Sequence, residues 1–217
     1  MKKIFFTLLT ILLLCTSQAR ADDVREIGEA FWQYVDAAVR ADGAVAAEIF
    51  SGSAIHYWDS MLKDARTLSR NELEKRPVYQ LFNIILIRKR TEDDPGIAGM
   101  DGKKWLRHSY SSGWNSKNGL HAYIEYRDSI RLVPEINGLS AELKIEFDGE
   151  MLANGFPFVK ENGQWKIDGK RQFDQLEKNI EAKIKNSGMS KAVFIDAMYK
   201  GLFGHSVPDR LWHINEK

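Results

Sequence analysis

The segment from Phe156 to Asp168 constrains the fold most, because it has the pattern of a β-hairpin around a defined turn. Asn162-Gly163 lies at its centre, and this dipeptide readily adopts the two positive φ angles of a type I′ turn. The turn fixes the register, and the pairs it predicts are Phe158 with Ile167 and Lys160 with Trp165. The apolar residues that then share one face, as in a hairpin that lines a core, are Phe156, Phe158, Trp165 and Ile167.

Residues 139–147 alternate between apolar and polar side chains, which predicts a strand with one buried and one solvated face. The apolar members are Leu139, Ala141, Leu143, Ile145 and Phe147. Residues 121–133 alternate less regularly and are predicted to form a further strand, joined to the first through Pro134–Gly138. Three such segments in succession predict an antiparallel sheet.

Apolar residues recur at helical spacing before and after these strands. Helices are predicted from Val24 to about Arg40 and from Ala54 to Arg66. Val78–Ile87 is mostly apolar and fits either a buried helix or a strand, with helix favoured. Thr91–Gly102 is polar and rich in glycine, which indicates a loop. In the tail, one helix is predicted up to Gly188 and another from Ser190 to about Phe203.

The N-terminus has the order of charge, apolar run and small residues that is typical of a secretory signal peptide. Lys2 and Lys3 precede the apolar run Ile4–Cys15, and Ala19-Arg20-Ala21 has the spacing of a signal-peptidase site. We therefore expect cleavage after Ala21 and a periplasmic or secreted bacterial protein. The apolar run is shorter than the roughly 20 residues that a spanning helix needs.

Lipidation of Cys15 is the alternative for this N-terminus, since lipoproteins carry a cysteine just after the apolar run. Leu14 stands where the lipoprotein peptidase usually requires a small residue, so ordinary cleavage after Ala21 is favoured. Cleavage there would remove the chain's one cysteine. The mature protein would then depend on its core rather than on disulfides for stability.

The net charge of the expected mature chain limits the classes of molecule that it can attract as a partner. Of the 31 basic residues, Lys2, Lys3 and Arg20 precede the expected cleavage bond, which leaves 28 against 30 acidic residues. A nearly neutral mature chain has no long-range attraction to nucleic acid or to an anionic membrane. The five histidines form no metal-binding motif. We therefore expect no metal, no cofactor, no nucleic acid and no membrane as a partner.

The order of elements resembles the NTF2-like superfamily, also called SnoaL-like or cystatin-like. The resemblance covers about Val24–Asp168, with an aromatic first helix at Phe31–Val35, Tyr57-Trp58-Asp59 in a later helix, and a last hairpin that reads Phe158–Asp168. It implies an α+β fold in which N-terminal helices pack in a strongly bent antiparallel sheet, a cone with a pocket at its open end.

The domain division that follows is a signal peptide at 1–21, an NTF2-like α+β domain at 22–168 and a helical C-terminal extension at 169–217, packed on the domain. Members of the superfamily include isomerases, dehydratases and hydrolases as well as non-catalytic binding domains, so the fold alone does not assign a function.

His56 and Asp59 are the weak catalytic candidates. They lie three residues apart on a predicted helix, and a carboxylate beside an imidazole could serve in general acid–base chemistry. They flank the apolar stripe of that helix, however, so a surface ion pair that extends to Lys63 is the favoured interpretation.

Aromatic residues suggest a binding pocket instead. The candidates for holding an apolar or flat ligand are Trp114, Tyr126, Trp58 and Tyr34. For Trp58, as for Trp165, a place in the core is the favoured alternative.

The sequence therefore predicts an exported, non-catalytic protein that binds a small ligand or another protein. Two alternatives stay open, namely a small-molecule isomerase, dehydratase or hydrolase that uses Asp59 or His56, and an immunity-type inhibitor of an exported toxin. The oligomeric state and the role of residues 169–217 are open as well.

Overall fold

The computed structural model describes residues 2–114, 120–153 and 155–213. The helices in these ranges are α1 (Lys2–Val39), α2 (Gly43–Ile49), α3 (Gly52–Thr67), α4 (Arg70–Leu73), α5 (Val78–Asp93), α6 (Gly102–Ser111), α7 (His121–Glu125), α8 (Gly169–Ser187) and α9 (Lys191–Phe203). The strands are β1 (Ile130–Asn137), β2 (Ser140–Phe147), β3 (Glu150–Met151), β4 (Phe156–Glu161) and β5 (Gln164–Ile167). Short 3-10 segments are Pro95–Gly99, Arg127–Ser129 and Asp209–Leu211. The fold is α+β.

The chain divides into two compact units, each built from two separate stretches. Unit 1 combines the stretch that ends at Ser51 with Ser109–Asp168, and unit 2 combines Gly52–His108 with the stretch that begins at Gly169. The second stretch of unit 1, which carries the sheet, ends at Asp168. The division into a signal peptide, an NTF2-like domain and a C-terminal extension stays a prediction.

The five strands form an antiparallel sheet in unit 1 with the spatial order β1-β2-β4-β5, and β3 pairs with the far end of β2. The predicted hairpin is confirmed: Phe158 pairs with Ile167 and Lys160 with Trp165. Asn162 and Gly163 have φ angles of 51° and 80°, as a type I′ turn requires.

The alternation of β2 is confirmed as a division between a core face and a solvated face. Ala141, Leu143 and Ile145 are buried, and the neighbouring strands add Phe158 and Ile167 to the same face. Helix α1 contacts β1 and β5, and its fully buried side chains are Ile27, Phe31, Val35 and Ala38. Leu139, predicted to lie on the core face, is instead 68% exposed because it lies in the turn before β2.

The prediction of a strand over residues 121–133 is wrong for most of that segment. Residues His121–Glu125 form α7, and β1 begins only at Ile130. The predicted connection at Pro134–Gly138 belongs largely to β1, which continues to Asn137. Among the described residues β1 is an edge strand with β2 as its neighbour. Proline is tolerated on an edge strand, because the position of its missing N–H can face the open side of the sheet.

Helix α5 extends beyond the predicted end at Ile87 and takes in the first residues of the predicted loop. The added turns carry an ion pair between Lys89 Nζ and Asp93 Oδ1 at 2.5 Å. The rest of the predicted loop contains the 3-10 segment Pro95–Gly99. Val78–Ile87 itself is helical, as favoured, and most of its side chains are buried.

The two tail helices are confirmed within unit 2. Gly188 separates them with a φ of 67°, and Ser190 caps α9 by accepting a hydrogen bond from the backbone of Val193. Glu177 of α8 accepts hydrogen bonds from the backbone N–H groups of Tyr79 and Gln80 at 2.9 and 3.3 Å. A carboxylate from α8 thus caps the N-terminus of α5, whose own N-cap residue is a proline without a capping side chain.

The side chains of residues 1–19, which include Cys15 and most of the predicted signal peptide, lie outside the described part of the chain. Within the described part, no helix combines the length and the apolar character that a membrane span requires.

Candidate functional site

The two catalytic candidates lie on α3 with their side chains at the protein surface. The His56 side chain is 85% exposed, and its Nδ1 lies 3.8 Å from Asp59 Oδ2. The geometry matches a surface ion pair.

Asp59 has a structural role instead. Its Oδ1 accepts a hydrogen bond from the backbone N–H of Gly102 at 2.5 Å. Gly102 is the first residue of α6, and the first N–H groups of a helix have no partner within the helix. The carboxylate therefore caps α6 and is engaged in holding two helices together.

The four aromatic candidates are divided between the two units. Trp58 belongs to unit 2, where it is 4% exposed and contacts the rings of Tyr57, Trp105 and Phe173. It is a core residue, the alternative that the sequence favoured. The other three belong to unit 1.

Within unit 1 these three occupy different surroundings. Tyr34 contacts the rings of Phe50 and Tyr110, and its hydroxyl accepts a hydrogen bond from Tyr110 at 3.3 Å. Burial raises the pKa of the Tyr34 phenol. Tyr126 is 46% exposed and stacks edge-on against Phe147. Trp114 is half-buried in the turn after α6. None of them lines the clefts described next.

A cleft of about 380 Å³ opens in unit 2 where α3, α5 and the C-terminal turn meet. Its floor consists of apolar side chains that belong to the core, namely Leu62, Ala65, Ile87, Ile97 and Leu211. Its walls carry Arg66, Arg88, Thr91, Glu92, Arg210 and His213. A volume of this size is at the lower end of the range for small-molecule sites.

Arg88 is the most deeply placed cation of the cleft, with 7% of its surface exposed. Its guanidinium donates to the carbonyls of Ala65, Leu68 and Leu211 at 2.9, 2.6 and 2.9 Å. The first two carbonyls lie at the C-terminal end of α3, where the helix dipole favours a cation. Burial lowers the pKa of Arg88, but a guanidinium keeps its proton in proteins.

Arg66 and Arg210 stand nearer the solvent. Arg66 donates to the carbonyls of Leu62 and Ala98 at 2.8 and 2.9 Å, which ties the 3-10 segment to α3. Arg210 forms a two-pronged pair with Glu92, at 2.7 Å from Nε and 3.1 Å from Nη2. Glu92 raises the pKa of Arg210.

Three guanidinium groups therefore meet one carboxylate among the residues that line this cleft. The backbone carbonyls satisfy hydrogen bonds but carry only partial charge, so they do not neutralise the surplus. His213 lies 3.5 Å from Asp209 at the rim and is half exposed.

A cleft in unit 1 has the opposite character. It measures about 450 Å³ and is lined by Glu26, Glu29 and Glu48 with Lys166 as the cation. In the residues that the structure describes, no group of three or more His, Asp or Glu side chains is arranged to hold a metal ion.

The arginines of the unit 2 cleft were not predicted from the sequence as functional residues. Arg88-Lys89-Arg90 precedes Glu92-Asp93-Asp94, and the charges of these two runs largely cancel. One signal was present. Arg88 continues the buried stripe of Leu81, Ile84 and Ile85 at helical spacing, so a cation was placed where α5 faces its core.

Comparison with protein-family models, with curated proteins and with solved structures gives no match to this chain. The assignment of a function therefore depends on the geometry of the molecule itself.

Proposed function

We propose that the mature chain is an exported, non-catalytic binding protein with an NTF2-like unit, which acts in the periplasm or outside a bacterial cell. The observation that carries the binding role is the open cleft of unit 2, in which surplus arginine charge surrounds a small apolar floor. Binding sites combine these two features, an apolar surface and a few convergent polar groups.

The enzymatic alternative has no comparable support. His56 is solvated, and Asp59 is occupied as the cap of α6. A general acid or base is expected to reach a substrate within a cleft that tunes its pKa. Neither group lines the cleft of unit 2.

Support for the NTF2-like unit comes from the order of elements and from the last hairpin. A long first helix packs against the sheet, and the sheet ends in the hairpin with an inward Trp165. The strong bend of the sheet into a cone, with a pocket at the open end, remains part of the proposal.

Export is tested by expressing the full chain in a bacterium, separating the cell fractions and determining the N-terminus of the exported protein. We expect a periplasmic or secreted protein that begins at Asp22, and an Ala21→Phe variant that is not processed there. A matched Cys15→Ser variant should be processed normally. Lipid attached at Cys15, or a chain that remains in the cytoplasm, would contradict the proposal.

Binding is tested on the same exported protein. Mass spectrometry of the native protein and of its denatured extract should reveal a bound small molecule that is released chemically unchanged. A His56→Ala variant should retain that ligand in the same amount. Conversion of the ligand by the wild type, lost in this variant, would favour an enzyme instead.

A further inference from the structure

We propose that the unit 2 cleft binds an organic anion, with a carboxylate or phosphate group held by Arg66 and Arg210 and an apolar part placed against Ala65 of the floor and the exposed lining residue Ala98. This inference rests on the proposed binding function and names the ligand class and its site. The acid group and the apolar part are each required by a different feature of the cleft.

The charge of the cleft requires the acid group. Glu92 is the one carboxylate among the described residues that line the cleft, and it faces three guanidiniums. Arg88 holds its charge in a buried position, where a field is screened less than at the surface. An anion that enters therefore meets a positive potential, although the mature chain as a whole is nearly neutral.

The arginines retain donors for such a ligand. A guanidinium has five N–H groups. Glu92 engages Nε and Nη2 of Arg210, which leaves N–H groups of that guanidinium for a second acceptor. Arg66 is likewise fixed by backbone carbonyls rather than by a carboxylate, so its position is set before a ligand arrives.

The floor requires the apolar part. Leu62, Ile87 and Ile97 are each at most 2% exposed, so the protein itself already covers these side chains. The apolar surface that a ligand can reach is that of Ala65, which is 9% exposed, and of Ala98, which is exposed. A fully hydrated inorganic anion would leave this surface without a partner. A short hydrocarbon chain or ring would cover it, and each buried methylene group would raise the affinity about 4-fold.

Three probes separate the two requirements, namely hexanoate, hexylammonium and inorganic phosphate. Each is titrated into the purified protein at low salt, with binding followed by calorimetry and by NMR shifts of unit 2 residues. Hexanoate should saturate the site, phosphate should bind at least about 10-fold more weakly, and hexylammonium should not bind. Equal affinity for phosphate and hexanoate, or binding of hexylammonium, would overturn the proposal.

Two substitutions should change the affinity for hexanoate in opposite directions. Arg210→Gln should weaken hexanoate binding about 10-fold, because a donor and a charge are lost. Glu92→Gln should strengthen it several-fold, because the competing carboxylate becomes neutral while the side chain keeps its size. Arg25→Gln is the matched control, an exposed arginine of unit 1 that pairs with Glu29, and it should change nothing.

If hexanoate binds elsewhere in the protein, Arg210→Gln and Arg25→Gln should have the same affinity for it. A loss of affinity in both Arg210→Gln and Glu92→Gln would indicate that the substitutions disrupt the structure. Either result would refute the proposal that hexanoate binds in this cleft.

The broader binding function can be lost independently of the cleft. If a co-purified ligand is found but hexanoate neither binds nor displaces it, only the inference about the cleft is lost. If hexanoate binds as described but is turned over, the cleft stands and the non-catalytic role is lost.

Discussion

The indole Nε1 of Trp165 donates a hydrogen bond to Asp23 Oδ1 at 2.8 Å, which links the start of the expected mature chain to the last hairpin of the sheet. The same carboxylate oxygen accepts from Lys160 Nζ at 2.5 Å. The two donors lie opposite each other on β4 and β5. One carboxylate of α1 thus satisfies both polar groups on the core face of the hairpin.

Removal of this carboxylate should destabilise the protein in two steps. Asp23→Asn keeps an acceptor for the indole but loses the charge opposite Lys160, and Asp23→Ala loses both. We expect the free energy of unfolding to fall by about 1 kcal/mol and about 2 kcal/mol, respectively. Urea titration measures both. Asp22→Asn is the neighbouring control, and a loss equal to that of Asp23→Asn would mean that the contacts of Asp23 are irrelevant.

The same contacts predict a pH dependence with two limbs. Hydrogen bonds from Lys160 and Trp165 hold the pKa of Asp23 below its ordinary value of 3.8, so the stabilisation is present above that value and is lost as pH falls through the lowered pKa. The hydrogen bond to Asp23 raises the pKa of Lys160 above 10.5. The stabilisation that Lys160 contributes is therefore present below pH 10.5 and is lost as pH rises through the raised pKa.

The stability difference between wild type and Asp23→Asn should therefore be constant from about pH 5 to 9 and shrink at both extremes. Unfolding curves across the pH range measure it. If the stability difference between the two proteins instead grows on acidification, the pKa of Asp23 is not lowered in the folded state and the prediction is wrong.

The hairpin that presents Lys160 and Trp165 could be predicted because its register depends on local chemistry. Asn162-Gly163 accepts two positive φ angles, and alternation then assigns each side chain to a face. Asp148-Gly149 has the same chemistry, with φ angles of 50° and 82°, and forms the turn between β2 and β3. The alternation pattern alone did not predict that second hairpin.

Features that depend on distant contacts could not be predicted in this way. Residues 121–133 alternate only loosely, and the five residues that form α7 are too few to separate the helical from the extended period. The cleft of unit 2 gathers Arg66, Arg88 and Arg210 from three separate stretches of chain. Their meeting depends on the packing of α3, α5 and the tail, which no local pattern specifies.

Arg88 should be required for the stability of unit 2. Arg88→Leu leaves the carbonyls of Ala65, Leu68 and Leu211 without their donors, and we expect a loss of about 3 kcal/mol or more in the free energy of unfolding. Arg88→Lys should lose less, since an ammonium still carries three donors. The exposed Arg107 is the control: if Arg107→Leu costs as much as Arg88→Leu, the three carbonyl contacts do not explain the effect.

Glu177 should contribute through its cap on α5. Glu177→Ala removes the acceptor for Tyr79 and Gln80 N–H and should cost about 1 kcal/mol. Glu181→Ala, one turn further along α8 and exposed, should cost nothing measurable. Thermal unfolding compares the two variants, and equal melting temperatures would exclude the cap.

Burial raises the pKa of Glu177 above its ordinary value of 4.5. For a carboxyl group this sign means that the folded state gains stability as the group is protonated, and loses it as pH rises through the raised pKa. Glu177→Gln accepts the same two N–H groups without a charge. Relative to wild type it should therefore gain stability as pH rises from 4.5 through the raised pKa of Glu177, as measured by urea midpoints. A constant difference over that interval would show that the charge is not buried.

Gly102 should tolerate no side chain, because the backbone of α3 lies directly against this residue. A Cβ atom there would lie inside van der Waals contact with the carbonyl oxygen of Ile55 and 2.9 Å from Asp59 N, both of them backbone atoms that cannot rotate away. Gly102→Ala must separate the two helices and stretch the hydrogen bond from Gly102 N–H to Asp59, so we expect a loss of about 3 kcal/mol or more. Gly99→Ala is the matched control, since a Cβ there meets nothing within 4 Å. Chemical unfolding should separate the two variants clearly, and a Gly102→Ala protein as stable as Gly99→Ala would mean that Asp59 is not held against α6 and is available for other chemistry.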